Sequence, residues 1–493
     1  ICLRYFFEFT DTQGEKVYYG NYEFDKECIT NRDRMFDCPQ NLREEEMFEV
    51  PEWAANKVVY QIFPSRFAAT EPVDKELWYK APITPMDDLH GNLRGIIEHM
   101  DDIQNLGIDV LYMTPIFQSN SCHKYDTTDY YQIDPSFGTT EDLKELVQKA
   151  HERGMKVVLD AVYNHTGREF FAFADILENG EKSKYRDWYF IDGFPLKSEW
   201  GEIPNFKCFG YYGGMPKLNL KNPEVEKYIT DVACYWIKEC DIDGWRLDVG
   251  DEISHFFWKN FRKAVKAVKK DMLIIGEIWH YAGDFLEGDE WDTVMNYPFY
   301  LNLIDLLADE KITVSQFVQN LGYLKGRLHK NCYPLMWNLI DSHDTARFLH
   351  LCNDNKKKQH LAAAFQLLLP GMPMIYYGDE YAMPGANDPD CRRGMYWDEE
   401  YQDKEMYEWY KRLIQVRKSH ACIVEGELAG SVTEDEEGTV VLIRKNGEET
   451  IAMIFNCSSS AKKFNEYTQK YNLLTENTFD GNVEGFDAAV IVL

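Results

Sequence analysis

The 493-residue chain carries 83 acidic against 53 basic residues, a formal net charge of −30 spread along its length. That balance argues against polyanionic partners such as nucleic acid or an anionic membrane surface and favours a neutral or cationic ligand. The chain exceeds the roughly 250–300 residues at which a single core stops growing, so more than one domain is expected.

No run of about 18 apolar residues is present to span a membrane, and the start, Ile1 to Tyr5, is not a signal peptide. The 12 cysteines are scattered without a C-x-x-C pair, which indicates neither a zinc site nor a disulfide framework. They read as free thiols in a reducing cytoplasm. The chain opens abruptly on a β-like segment without an initiator Met, so it is expected to begin inside a longer protein. An export signal upstream would lie outside the numbered residues.

Residues 1–50 read as short β segments with turn residues, the remnant of an N-terminal β module. From Val58 to about residue 377, short β-branched runs alternate with longer helical patterns, as in repeated βα units with a parallel sheet. The first unit illustrates the pattern. Leu93, Ile96, Ile97, Met100, Ile103 and Leu106 recur at helical spacing, Gly107 stops the helix, and Val110 to Met113 follows as a buried strand. In the next unit Thr139 or Thr140 caps the helix, Glu141 and Asp142 complement its dipole, Gly154 ends it, and Val157 to Val162 is the strand.

Further strands are expected at Val58–Ile62, Gly244–Val249, Leu273–Ile278, Thr293–Met295, Met336–Ile340 and Met374–Tyr377. Eight parallel strands suggest a closed (β/α)8 TIM barrel, an α/β fold, within a catalytic domain of residues 51–418. A doubly wound sheet would want a Gly-rich phosphate turn after its first strand, and Gln61 to Phe67 contains no glycine. Between about 163 and 217 the pattern breaks into an aromatic, Gly-rich stretch too long for an ordinary loop, read as a domain inserted after the third strand. Residues 419–493 alternate apolar and polar around turns such as Asn446-Gly447, read as a C-terminal antiparallel β-sandwich domain.

The active site of a (β/α)8 barrel lies where its strands end. Four clusters sit there: Asp160-Ala-Val-Tyr-Asn164-His165, Gly244-Trp-Arg246-Leu-Asp248, Gly276-Glu277-Ile-Trp279 and Asp341-Ser-His343-Asp344. Arg246 and Asp248, two apart on one strand, point to one face, and a guanidinium beside a carboxylate favours the ionised form that a nucleophile needs. Glu277 ends the next strand, and the field of a neighbouring carboxylate helps one of the two keep a proton. Glycoside hydrolysis needs such a pair, an acid for the leaving oxygen and an anion for the oxocarbenium centre. A single acidic residue at a strand end is structural about twice as often as catalytic, and a lone His343 or His165 is more often a satisfied half-buried histidine. Four clusters at successive tips reverse that balance.

These clusters match, in order, the four short regions of the α-amylase superfamily of glycoside hydrolases, and the resemblance covers essentially the whole chain. Met215-Pro-Lys217-Leu-Asn219, Tyr60-Gln-Ile-Phe-Pro-Ser-Arg66-Phe and Asn387-Asp388-Pro-Asp-Cys-Arg392 resemble the neopullulanase, cyclomaltodextrinase and maltogenic amylase subgroup. The resemblance implies a retaining hydrolase of α-1,4 bonds, with α-1,6 cleavage open, in cyclodextrins, pullulan and maltooligosaccharides. Asp248 would be the nucleophile, Glu277 the acid/base, and Asp344 the residue gripping two sugar hydroxyls in the distorted transition state. Arg246, His165 and His343 would line the same sugar subsite, with Tyr125 as its stacking platform. Asp388 and Arg392 would wall the next subsite, and Trp279 would be an aromatic on the leaving-group side. The sequence leaves open a packing role for Tyr125 and Trp279 and a surface ion pair for Asp388 with Arg392.

No cofactor is required by this reading. Ala68-Ala69-Thr70 replaces most oxygen ligands of a calcium loop that relatives carry there, and calcium prefers several oxygens. Asn164 matches a calcium position of many α-amylases, yet an asparagine can equally hold the inserted domain by hydrogen bonds, so metal is unassigned. Val249-Gly250-Asp251-Glu252 departs from the subgroup's usual Ala-Asn in the middle, which leaves open acceptor preference and the balance of hydrolysis with glycosyl transfer. The N-terminal module resembles the end of a starch-binding-like domain that lies over a partner's active site in relatives, so a homodimer is expected where the rest of it exists. A glucan transferase would use the same residues. A non-catalytic barrel would have lost one of the carboxylates, and none is lost. An aldolase-type barrel would want a buried lysine or a late phosphate loop, and neither is evident.

Overall fold

The computed structural model describes residues 3–11, 13–21, 24–38, 48–197 and 203–493. It divides into two compact units, Ile1–Glu49 and Val50–Leu493. In the first, Leu3–Tyr5 pairs with Phe36–Cys38, and Phe7–Thr10, Lys16–Tyr19 and Phe24–Asp25 form a three-stranded antiparallel sheet.

The second unit is built around eight parallel strands: β1 Val59–Ile62, β2 Val110–Met113, β3 Lys156–Ala161, β4 Gly244–Leu247, β5 Leu273–Gly276, β6 Thr293–Val294, β7 Trp337–Asn338 and β8 Met372–Tyr376. Their order is β6-β5-β4-β3-β2-β1-β8-β7. A parallel bridge from Met295 to Trp337 joins the two ends, so the sheet closes into a barrel. Apart from Lys156 at the start of β3 the strands are buried along their length, the consequence of helices covering the outside while side chains fill the inside. Val59, Val110, Tyr112, Val158, Leu273, Ile275, Trp337 and Met374 belong to one core cluster. Burying an aliphatic side chain of this kind contributes about 1.5–3 kcal/mol, so the barrel is fixed mainly by its apolar filling.

The helices start where the capping chemistry places them. Thr139 and Asp142 form a capping box for Thr140–Glu152, Asn222 with Pro223 at the first turn opens Pro223–Cys240, and Ser254 caps His255–Val268. Gly107 ends its helix at φ 104°, a conformation that favours glycine. The helical run from Leu93 to Leu106 is divided at His99, whose φ −99°, ψ 12° departs from helical values. Its ring stacks on Trp397, centroids 3.6 Å apart, which anchors the break.

Between β3 and β4 lies the inserted segment, with a helix at Phe171–Asn179 and isolated bridges His165↔Lys217, Tyr189↔Leu218, Ile191↔Phe206 and Cys208↔Pro216. Phe170, Phe173, Trp188, Tyr189 and Phe206 form its buried aromatic filling. The six-stranded antiparallel C-terminal sheet begins at Glu427 and has its own core of Val441, Ala452, Ile454, Phe464, Phe479 and Ile491. Gly447, at φ 60°, makes the tight turn between Thr439–Asn446 and Glu449–Asn456. The ten cysteines whose side chains are described are free.

Candidate active site

Strand register brings the acidic tips together. Asp160 on β3 is level with Arg246 on β4, and Leu247 is level with Gly276, so Asp248 and Glu277 follow side by side at the C-terminal rim. The backbone N–H of Asp248 donates to Ala161 O at 3.2 Å and that of Glu277 to Leu247 O at 3.0 Å, which extends the ladder to both residues. The fully buried guanidinium of Arg246 joins the groups. Its Nη1 lies 2.8 Å from Asp248 Oδ1 and 3.1 Å from each Asp160 oxygen, and its Nη2 lies 2.8 Å from Glu277 Oε2.

The donors around the two rim carboxyls differ. Glu277 also accepts from Val249 N at 2.9 Å and from Trp279 Nε1 at 3.1 Å. Asp248 Oδ2 has no hydrogen-bond partner among the described residues, so one oxygen of that carboxyl is free. Burial pushes the Asp248 carboxyl up; Arg246 opposes this, while Glu277, Asp160 and Asp344 add to it. Burial likewise raises Asp160 to about 6 against the pull of Arg246. Burial thus pushes both Asp248 and Asp160 towards the protonated form against the one cation between them.

A hydrogen-bonded chain continues into the next wall. Gln61 Nε2 donates to His343 Nδ1 at 2.8 Å, which assigns the ring proton to Nε2. That proton faces the Tyr125 hydroxyl at 2.5 Å and Asp344 Oδ2 at 3.2 Å, and Tyr125 in turn donates to Asp160 at 3.1 Å. Burial, with the positive fields of Arg392 and Arg246, holds His343 well below the usual histidine range, so the ring is neutral. Tyr125 lies parallel to it, at 4° and 5.5 Å. His165 is also brought here, but it is 1% exposed and its Nε2 donates to Tyr125 O at 3.1 Å. It therefore holds Tyr125 in place instead of offering a free nitrogen. Burial lowers it to about 4.

Asp344 is more open, held by Arg392 Nη2 at 3.3 Å beside its contact with His343. Arg392 donates through Nε to His343 O at 2.7 Å and pairs with Asp388 at 2.8 Å. The Asp388–Arg392 pair is thus tied into the site, not a detached surface pair. On the opposite side Trp279, 42% exposed, stacks on Tyr297 at 3.9 Å.

The calcium question has a local answer. Asn164 Oδ1 accepts from the Lys217 ammonium at 2.7 Å, its Nδ2 donates to Glu252 Oε2 at 3.1 Å, and Lys217 pairs with that oxygen at 2.6 Å. A fixed ammonium at the asparagine oxygen repels a dication, so these residues do not fit calcium.

The structure adds Gln61, Tyr112, Tyr297 and Glu252 to the site and gives Asp160 a partner in Arg246. Asp160 was visible as the first member of a strand-tip cluster. Tyr112, which donates to it at 2.7 Å, gave no signal because it reads as one more apolar strand residue.

The alpha-amylase catalytic domain family matches this chain over residues 61–402. A cyclomaltodextrinase from Geobacillus thermopakistaniensis (strain MAS1) is 45% identical over 452 residues, 91% of this chain and 76% of that protein. Neopullulanase 2 from Thermoactinomyces vulgaris is 42% identical over 460 residues, 92% of this chain and 78% of that protein. Among solved structures, a cyclomaltodextrinase aligns with a TM-score of 0.92 at 38% identity, covering 99% of this chain and 86% of the other.

Proposed function

Because the chain belongs to the α-amylase family, as a glycoside hydrolase of the cyclomaltodextrinase and neopullulanase type, we propose that it cleaves α-1,4-glucosidic bonds of cyclodextrins, pullulan and maltooligosaccharides with retention of configuration. The observation that carries the reading is the single guanidinium of Arg246 spanning Asp248 and Glu277, 2.8 Å from an oxygen of each. Carboxyls gathered on one fork are in keeping with the separation of about 5–5.5 Å in retaining enzymes.

In the first step the free Oδ2 of Asp248 attacks the anomeric carbon while Glu277 gives its proton to the departing glycosidic oxygen. The C–O bond to the leaving sugar breaks and an ester to Asp248 forms. In the second step Glu277 takes a proton from water, the hydroxide oxygen attacks the same carbon, and Asp248 leaves as carboxylate. Asp344, aimed by Arg392 and neutral His343, holds ring hydroxyls more tightly as the sugar flattens. The Tyr125 face, fixed by His165 and His343, supports the sugar ring.

Glycosyl transfer is a second outcome of the same ester, favoured by the exposed indole of Trp279, which offers a platform to an acceptor sugar in place of water. The reading includes a reducing, cytoplasmic location, in keeping with the free cysteines, and a homodimer, which sedimentation tests. Among the described residues no helix is long and apolar enough to cross a membrane.

The test is a product profile on β-cyclodextrin, pullulan and starch. Release of maltose or panose, abolished by Asp248→Asn, is expected, and product chain length at high substrate separates hydrolysis from transfer. Full activity in Asp248→Asn would overturn the mechanism.

A further inference from the structure

Two loops on the catalytic rim, residues 68–79 after β1 and 397–398 after β8, flank with His99 an open cleft of about 370 Å³. Its walls are laced together. Met395 N donates to Arg66 O at 2.9 Å, Trp78 Nε1 to Met395 O at 2.8 Å, Trp397 Nε1 to Phe67 O at 2.5 Å, and Asp398 N to the Tyr79 hydroxyl at 3.0 Å. Lys75 adds ion pairs to Asp398 at 2.6 Å and Glu400 at 2.5 Å. The cleft is therefore pre-formed, which lowers the ordering cost of any ligand.

Trp78, Tyr79, His99 and Trp397 line it. Trp397 stacks on His99 at 3.6 Å and Tyr79 on Tyr401 at 4.0 Å. Polar groups remain at the rim. Glu71 has no ion-pair partner among the described residues, and the Tyr79 hydroxyl, which accepts from Asp398 N, keeps its own proton to donate. Rim carboxylates on a chain of net charge −30 disfavour an anionic ligand. Aromatic side chains flanked by carboxylate acceptors and a hydroxyl donor match a neutral polyhydroxylated ring. The volume lies within the roughly 300–1,000 Å³ of small-molecule sites.

The cleft shares the β8 loop with Arg392. Trp397 is five residues further on, so their Cα atoms lie within about 18 Å. We propose that this cleft is a second glucan-binding site, holding a maltosyl segment apart from the bond being cut. It rests on the α-glucan reading above and adds to it an anchoring point outside the carboxylate cluster. A substrate long enough to occupy both sites gains by effective concentration, and a short one does not.

The test is calorimetric titration of the Glu277→Gln protein with maltotriose, which reads binding without turnover. Two sites per chain are expected. Adding Val73→Trp, which places an indole in the cleft without removing a wall hydrogen bond, or Trp397→Ala, is expected to leave one. A single site in Glu277→Gln alone, or a second site that survives the Val73→Trp addition, overturns the inference; the Val73→Trp arm decides even where Trp397→Ala fails to fold. Wild-type cleavage of β-cyclodextrin is measured separately. Its absence alongside two-site binding would fail the hydrolase reading and leave the cleft standing, whereas its presence with one site would fail the cleft alone.

Discussion

The Lys217 ammonium donates to the side-chain oxygen of Asn164 at 2.7 Å, so a cation carried by the chain itself fills the position beside that asparagine. The pair ties the inserted segment to the loop after β4 through Glu252, 2.6 Å from the same ammonium. A chelator is therefore expected to leave both the melting temperature and the rate of β-cyclodextrin cleavage unchanged. Lys217→Ala should cost about 1–3 kcal/mol, because Asn164 and Glu252 lose a shared charged donor. Thermal unfolding of both proteins with and without EDTA checks this. A chelator-induced drop in the wild type would show that metal holds this junction after all.

Arg246 faces three carboxyls, and its fork geometry is what lets one cation serve them. Arg246→Lys keeps the charge but not the span, and a fall in kcat/KM of about 10²–10³, roughly 2.7–4 kcal/mol, is expected, comparable to losing one transition-state donor. The pH profile carries a second signature. Burial already raises Asp248 and brings Asp160 to about 6, with Arg246 opposing both. With the fork gone both rise further, the nucleophile stays protonated to higher pH, and the acid limb of kcat/KM moves upward. An unmoved limb would separate the guanidinium from carboxyl ionisation.

The barrel strands were legible in sequence because fully buried strands leave short apolar runs rich in β-branched residues, and Lys156–Ala161 and Leu273–Gly276 show it directly. The start of the helix before β3 was legible to within one residue, Thr139 or Thr140, and the structure settles it on Thr139, whose capping box with Asp142 the sequence reading did not include. The rim carboxylates were legible because each closes such a run. What stayed hidden depends on contacts across strands. Tyr112 reaches Asp160 from β2, and Gln61 reaches His343 from β1, 282 residues away in sequence. No local pattern marks either. His165 was expected to line the sugar subsite, and only packing reveals that its nitrogen is committed to Tyr125. The inserted segment resisted reading because its order comes from packed aromatic rings and single bridges, not from a period.

Stability is expected to fall as pH rises from about 4.5 to about 7, with Glu380 as a main cause. This buried carboxyl accepts from Tyr60 at 2.6 Å and from Gly378 N at 2.9 Å, yet burial raises it from 4.5 to about 7. Between those values the native state keeps a proton that the unfolded chain has released, so stability declines with rising pH and levels off above about 7, by about 3 kcal/mol. His165 works in the opposite sense. Its folded value near 4 lies below the ordinary 6.5, so the unfolded chain takes the proton first and stability is lost as pH falls towards 4. Denaturant midpoints from pH 4 to 9 should show Glu380→Gln with a flatter decline between about pH 4.5 and 7 only. An unchanged slope would assign that decline to other groups.

Trp279 contributes two separable things to the leaving-group side: an N–H, 3.1 Å from Glu277 Oε1, and a ring that stacks on Tyr297 at 3.9 Å while remaining 42% exposed. Trp279→Phe removes the first and keeps a ring for the second. It is expected to lower kcat/KM by about ten- to a hundredfold, the worth of one hydrogen bond to a charged group, with the fraction of transfer products retained. Trp279→Ala removes both, so transfer products at high maltotriose should fall several-fold beyond the loss of rate, since water needs no aromatic platform and an acceptor sugar does. Product chromatography of the three proteins at matched conversion decides the matter. Equal transfer fractions in wild type and Trp279→Ala would mean that the acceptor is held elsewhere, with the Gly250-Asp251-Glu252 turn as the nearest alternative, because Asp251 pairs with His280 at 3.2 Å on the same side.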